Sequence, residues 1–118
     1  MFNFRRRKAA SFPDEEILNY GLKLAMEFGR NWLQPIQTRL SKKHPELTME
    51  QLDAYNDICQ KAMKCGHDCV YSMESGLTDK QMFERLDAQL SVDFGWVSRK
   101  NRSKLFSQGM YYRWKDLG

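Results

Sequence analysis

Two stretches of this 118-residue chain hold side chains capable of chemistry. The first is Cys65-Gly66-His67-Asp68-Cys69, where thiols and an imidazole, the ligands zinc favours, fall close together. On a helix Cys65 and Cys69 are only about 40° apart, but His67 is displaced by about 200° from Cys65. A shared ion would require the helix to break at Gly66, or ligands from another chain. Free, partly buried cysteines are therefore expected, with no metal and no cofactor. Neither His44 nor His67 follows a glutamate at three residues' distance, which removes the Glu-x-x-His pattern of di-iron bundles. A glycine-rich phosphate loop and a His-Glu-x-x-His zinc pattern are also missing. A Cys-His pair brought together by folding stays open as a nucleophilic arrangement, but the reading adopted is non-enzymatic.

The second stretch runs from Ser98 to the end. Set on a helical wheel, Phe106, Tyr111, Tyr112 and Trp114 surround the segment, more rings than one packing face can bury. Lys100, Lys104, Tyr111 and Lys115 cluster in one narrow arc, while Arg99, Arg102 and Arg113 lie beside Phe106 and Met110 in another. Cations interleaved with aromatic rings suit the phosphates and bases of nucleic acid, or an acidic protein. The candidate binding residues are thus Arg99, Lys100, Arg102, Lys104, Tyr111, Arg113, Trp114 and Lys115. The competing reading is that long basic stems cover apolar surface while their charges stay in water. A third is self-association, with the surplus rings buried against a symmetry mate in a homodimer.

These residues need elements to position them, and helical periodicity dominates the whole chain. Ser11 as cap, Pro13 in the opening turn and Asp14, Glu15 and Glu16 at the positive dipole end predict a helix from about 13. It carries two apolar stripes, Ile17, Gly21, Leu24, Phe28, Trp32 and Leu18, Leu22, Ala25, Gly29, Leu33, and should extend to about 41 with a kink or break near Pro35. Thr48 with Gln51 forms a capping box opening a helix over 48–75, whose Leu52, Tyr55, Cys59, Ala62, Met63, Gly66, Val70 and Met73 share one face. Gly66 within that face predicts close approach of a neighbouring helix, and Gly76 a stop. Thr78 with Gln81 opens a third helix over 79–92, with Met82, Phe83, Leu86 and Leu90 inward. After Phe94-Gly95-Trp96-Val97, Ser98 caps a last helix over 99–115. Strand signals are missing, so an all-α, four-helix antiparallel bundle-like single domain is expected over 13–118. The pair 79–115 has the outline of a helix-turn-helix, but its connection does not align with that motif.

Composition bounds the class. With 42% hydrophobic, 13% aromatic and 29% charged residues, the chain has too much apolar material for disorder and no run approaching the ~20 apolar residues of a membrane span. The basic start Arg5-Arg6-Arg7-Lys8 lacks the apolar stretch of a secretory signal, and three cysteines are a poor disulfide framework. A cytoplasmic protein with a solvated basic arm over 1–12 is the expectation. The net charge of +4 conceals basic ends and an acidic body. Residues 1–10 carry +4 and residues 94–118 carry +5, leaving −5 between them.

Overall fold

The computed structural model describes residues 12–117, so the basic arm up to Ser11, including the Ser11 cap, lies outside the described residues, as does Gly118. Asp14 caps the first helix, α1 (Glu15–Ala25), with its carboxylate accepting from the amides of Glu16 at 2.8 Å and Ile17 at 3.2 Å. Both expected stripes are buried from Leu18 to Ala25, with Ile17 half-buried at the start. Phe12, expected to belong to the solvated arm, packs edge-on against Tyr55 with ring centroids 5.1 Å apart.

The first helix departs most from expectation. Instead of reaching residue 41 with a disturbance near Pro35, it stops at Met26, passes through a short 3-10 turn (Gly29–Asn31) and resumes as a separate helix, α2 (Gln37–Lys43). Gly29 adopts φ +84° and Leu33 φ +66°, left-handed values that reverse the chain; the first favours glycine and the second strains leucine. Carbonyls that a continuous helix would have satisfied are met from elsewhere. Arg39 donates to Leu24 O at 2.8 Å and to the carbonyls of Gln34 and Pro35, and Gln108 donates to Met26 O at 2.7 Å. Phe28 and Leu33, expected inside, are exposed as a result.

The other elements follow the sequence closely. Both expected capping boxes form, Thr48 with Gln51 opening α3 (Met49–Tyr71) and Thr78 with Gln81 opening α4 (Asp79–Asp93). The α3 stripe is buried throughout, and Met73 beyond it too. Its end falls a turn before Gly76, at Ser72, whose hydroxyl donates to Asp68 O at 2.8 Å; Gly76 serves the connection with φ +92°. Ser98 Oγ accepts from the Asn101 amide at 3.2 Å, opening α5 (Arg99–Leu117). The described residues are therefore all-helical, with five α-helices where four were expected.

Residue pairings give the helix directions. Asp14 meets Tyr55 and Leu18 meets Cys59; Gly66 meets Leu105 and Val70 meets Gly109; Asn19 meets Asn101 and Met26 meets Gln108. Sequence numbers rise together in each comparison, so α1, α3 and α5 run parallel. Opposite trends relate α2 to α3, where Ile36 meets Asn56 and Gln37 meets Asp53, and α4 to α5, where Phe83 meets Phe106 and Asp87 meets Arg102. The five helices thus alternate in direction, three one way and two the other, around one buried cluster that includes Leu22, Ile36, Cys59, Leu86 and Leu105. Breaking the first helix at Met26 rather than Pro35 is what turns α1 parallel to α5 and sets the two side by side. No helix among the described residues is long and apolar enough to cross a membrane.

Candidate functional site

Helix α5 presents two contrasting sides, and its basic residues divide between them. Its buried side is Asn101, Leu105, Gln108 and Gly109. Along one flank the arginines are engaged within the chain. Arg102 forks onto the α4–α5 connection, donating to the carbonyls of Val97 (2.8 Å), Gly95 and Asp87, to Ser91 Oγ, and to the Asp87 carboxylate at 3.3 Å. Arg113 reaches the end of α3, donating to the carbonyls of Val70 and Tyr71 at 3.3 and 3.0 Å. Arg99 lies over the Phe83 ring at 5.4 Å, and Phe83 meets Phe106 edge-on. Five donors in a rigid fork suit arginine to such multiple carbonyl contacts. Arg102 and Arg113 fasten α5 to its neighbours, while exposed Arg99 covers the Phe83 ring.

The lysines behave differently. Lys100, Ser103, Lys104, Ser107, Tyr111, Trp114 and Lys115 are all exposed and fall within about 120° of arc on one side of α5. Among the described residues none of these three lysines forms an ion pair. The rings are not enclosed within the chain, for Trp114 is 68% and Tyr111 49% exposed, with centroids 6.3 Å apart. Tyr112 does turn inward, stacking on Trp32 at 6.0 Å. The eight sequence candidates thus separate: Lys100, Lys104, Tyr111, Trp114 and Lys115 share an outward face, whereas Arg99, Arg102 and Arg113 sit on the packing flank.

Beside the upper part of that face, α1 and α5 enclose a groove of about 520 Å3. Lys23 enters from α1 and Lys100 and Lys104 from α5, with Tyr20, Met26, Ser103 and Ser107 completing the walls. At its end Asn19 and Asn101 lock the helices together. The Asn19 side-chain oxygen accepts from the Ser98 amide at 2.8 Å and Asn101 Nδ2 at 3.0 Å, while its amide donates to the carbonyls of Glu15 and Trp96. The acidic residue lining the groove, Glu27, is held by Arg39 at 2.6 Å and Asn31 at 3.1 Å. Lys23, Tyr20 and the serines were not legible as site residues. Nothing in their spacing signals that α1 borders α5, a relation created by the break at Met26.

The cysteine-histidine segment spreads around α3. Cys59 is fully buried and donates to Leu18 O at 3.3 Å, and burial pushes its thiol up to about 12. Burial also raises Cys65 and Cys69, which disfavours the reactive thiolates. His67 lies on the opposite side between Trp32 and Tyr112, with ring centroids at 5.9 and 5.7 Å. Its Nε2 is 2.9 Å from Gln108 Oε1. Because the Gln108 amide already donates to Met26 O, Nε2 must carry the proton and donate. Burial pushes the His67 pKa below its ordinary value, against the smaller opposing effects of Gln108 and Asp68. Among the described residues no group of three or more His, Cys, Asp or Glu side chains is placed to hold a metal ion.

Comparison of the chain with protein-family models, curated proteins and solved structures found no match.

Proposed function

We propose that this protein is a non-enzymatic binding module whose outward α5 face engages an acidic macromolecule, a nucleic acid or an acidic protein surface. One observation carries the reading: Lys100, Lys104 and Lys115 share a single helix face with exposed Tyr111 and Trp114 and have no intrachain ion-pair partner among the described residues. Exposed ammonium groups supply attraction to phosphate or carboxylate, and exposed rings supply stacking or anchoring contact. The separation of duties on α5 supports it further, since the arginines that fasten the fold are not the cations on offer.

Binding to random single-stranded and duplex DNA across a salt series tests the proposal. A nucleic-acid partner requires affinity that falls steeply with salt, because phosphate contacts release counterions. Changing Lys100 and Lys104 together to glutamate should abolish it. No binding at low salt removes nucleic acid and leaves the acidic protein, whose anchoring by Trp114 is less sensitive to salt.

Self-association is the second reading, favoured by the exposure of Leu117 together with Trp114. Isologous pairing of this face would bring lysine rows together, so the electrostatics oppose it. Sedimentation over a concentration series decides the matter: a constant monomer mass rejects the dimer, and a mass that doubles with concentration establishes it.

A further inference from the structure

The groove between α1 and α5 has features that the outward face alone does not explain. Three lysines from two helices line one groove of about 520 Å3, a size usual for sites that take a small organic ligand. Like charges bordering one groove favour an anion there, and one multiply charged group can meet several of them at once. A single carboxylate brings one charge, whereas a phosphate brings up to two and presents several acceptor oxygens to point-like ammonium donors. The carboxylate at the rim, Glu27, is engaged by Arg39 and Asn31 and leaves the lysines uncompensated.

The walls describe the rest of the ligand. Met26 and the half-buried Tyr20 ring contribute to the lining, the ring carrying Lys43 Nζ 5.0 Å from its centroid and His44 edge-on at 6.1 Å. Flat apolar groups sit well against such a surface, while Ser103 and Ser107 offer hydroxyls that donate or accept. Asn19 and Asn101 are consumed by the interhelical contact, so ligand recognition falls to the lysines and hydroxyls. We infer that this groove is a binding site for a phosphate ester carried on a flat, largely apolar body, the chemistry of a nucleotide. The inference rests on the reading of α5 as an anion-binding face and shares Lys100 and Lys104 with it, but it adds Lys23, a residue of another helix.

Calorimetric titration of the full chain at low salt, with adenosine monophosphate, adenosine and inorganic phosphate, tests the site. Adenosine monophosphate should bind, and more tightly than either component alone. Lys23→Gln, at an exposed position, should leave the melting curve intact and weaken that binding about 5- to 10-fold, the effect of losing one charge-assisted contact. Lys115→Gln, on the outward face beyond the groove, should not change it. A single-stranded oligonucleotide that displaces the mononucleotide, and is itself weakened by Lys23→Gln, identifies a strand as the source of the phosphate. A mononucleotide that binds through Lys23 without competition identifies a free nucleotide. Absence of mononucleotide binding, or equal affinity in wild type and Lys23→Gln, overturns the site. DNA binding that survives Lys23→Gln but fails with Lys115→Gln would in that case leave the outward face standing without the groove.

Discussion

Glycine spacing governs how closely the parallel helices approach, and two glycines at one interface should respond differently to the same change. A Cβ at Gly109 would stand 2.7 Å from Val70 Cβ and 3.1 Å from both its γ carbons. Valine cannot swing aside, because branching at Cβ restricts its rotamers. Gly109→Ala should therefore destabilise by about 1–3 kcal/mol through overpacking, despite the gain in helix propensity. At Gly66 the nearest atom, at 3.0 Å, is Leu105 Cδ1, the far end of a flexible side chain. Gly66→Ala should consequently be nearly neutral, its strain offset by a propensity gain of up to about 1 kcal/mol. Urea denaturation of the two variants checks the contrast, and equal losses would disprove it.

At the scale of elements, the α4–α5 connection depends on Arg102. One guanidinium there satisfies the carbonyls of Val97, Gly95 and Asp87 and pairs with Asp87, with its side chain 13% exposed. Arg102→Ala should cost about 2–3 kcal/mol by stranding several acceptors at once. Lys, with the same charge but no fork, should recover less than half of that loss. Hydrogen exchange at residues 94–98, faster in both variants than in wild type, would locate the effect in the connection. The outward lysines should not behave this way, and replacing Lys104 should leave the melting curve unchanged.

At the scale of the whole molecule, His67 joins α3, α5 and the connection from α1 to α2. His67 donates to Gln108, Gln108 donates to Met26 O, and Trp32 and Tyr112 pack against the imidazole. Burial depresses the His67 pKa in the folded state. As pH falls through the ordinary histidine value, near 6.5, the unfolded chain takes up the proton first and the folded state loses relative stability. Above that value both states hold a neutral ring and the effect vanishes. Thermal melts should therefore show a loss between pH 7.5 and 5.5 that is smaller in His67→Gln, where the amide can still donate to Gln108. Identical pH dependence in the two proteins would show that His67 does not carry the linkage.

Much of this fold is legible in the amino-acid sequence. Capping boxes are local hydrogen-bond patterns written in residues three apart, and the apolar stripe of α3 follows from helical periodicity alone; both were read correctly, as was the close approach at Gly66. Rings in excess of one burying face were also apparent on α5, and Tyr111 and Trp114 are indeed exposed. The site was less legible. Arg102 and Lys100 are equally basic to a helical wheel, yet one binds five acceptors of its own chain and the other none, because only folding brings Val97, Gly95, Asp87 and Ser91 within reach of that guanidinium. The reversal at Met26 was hidden for a related reason. Pro35 announces a break by its own stereochemistry, whereas the carbonyl left free where the helix ends at Met26 is met by Gln108, 82 residues away. Local bonding and periodicity are thus properties of neighbouring residues and can be read in order; helix direction, the α1–α5 groove and the division between fastening arginines and free lysines depend on partners distant in the chain, which tertiary structure alone supplies.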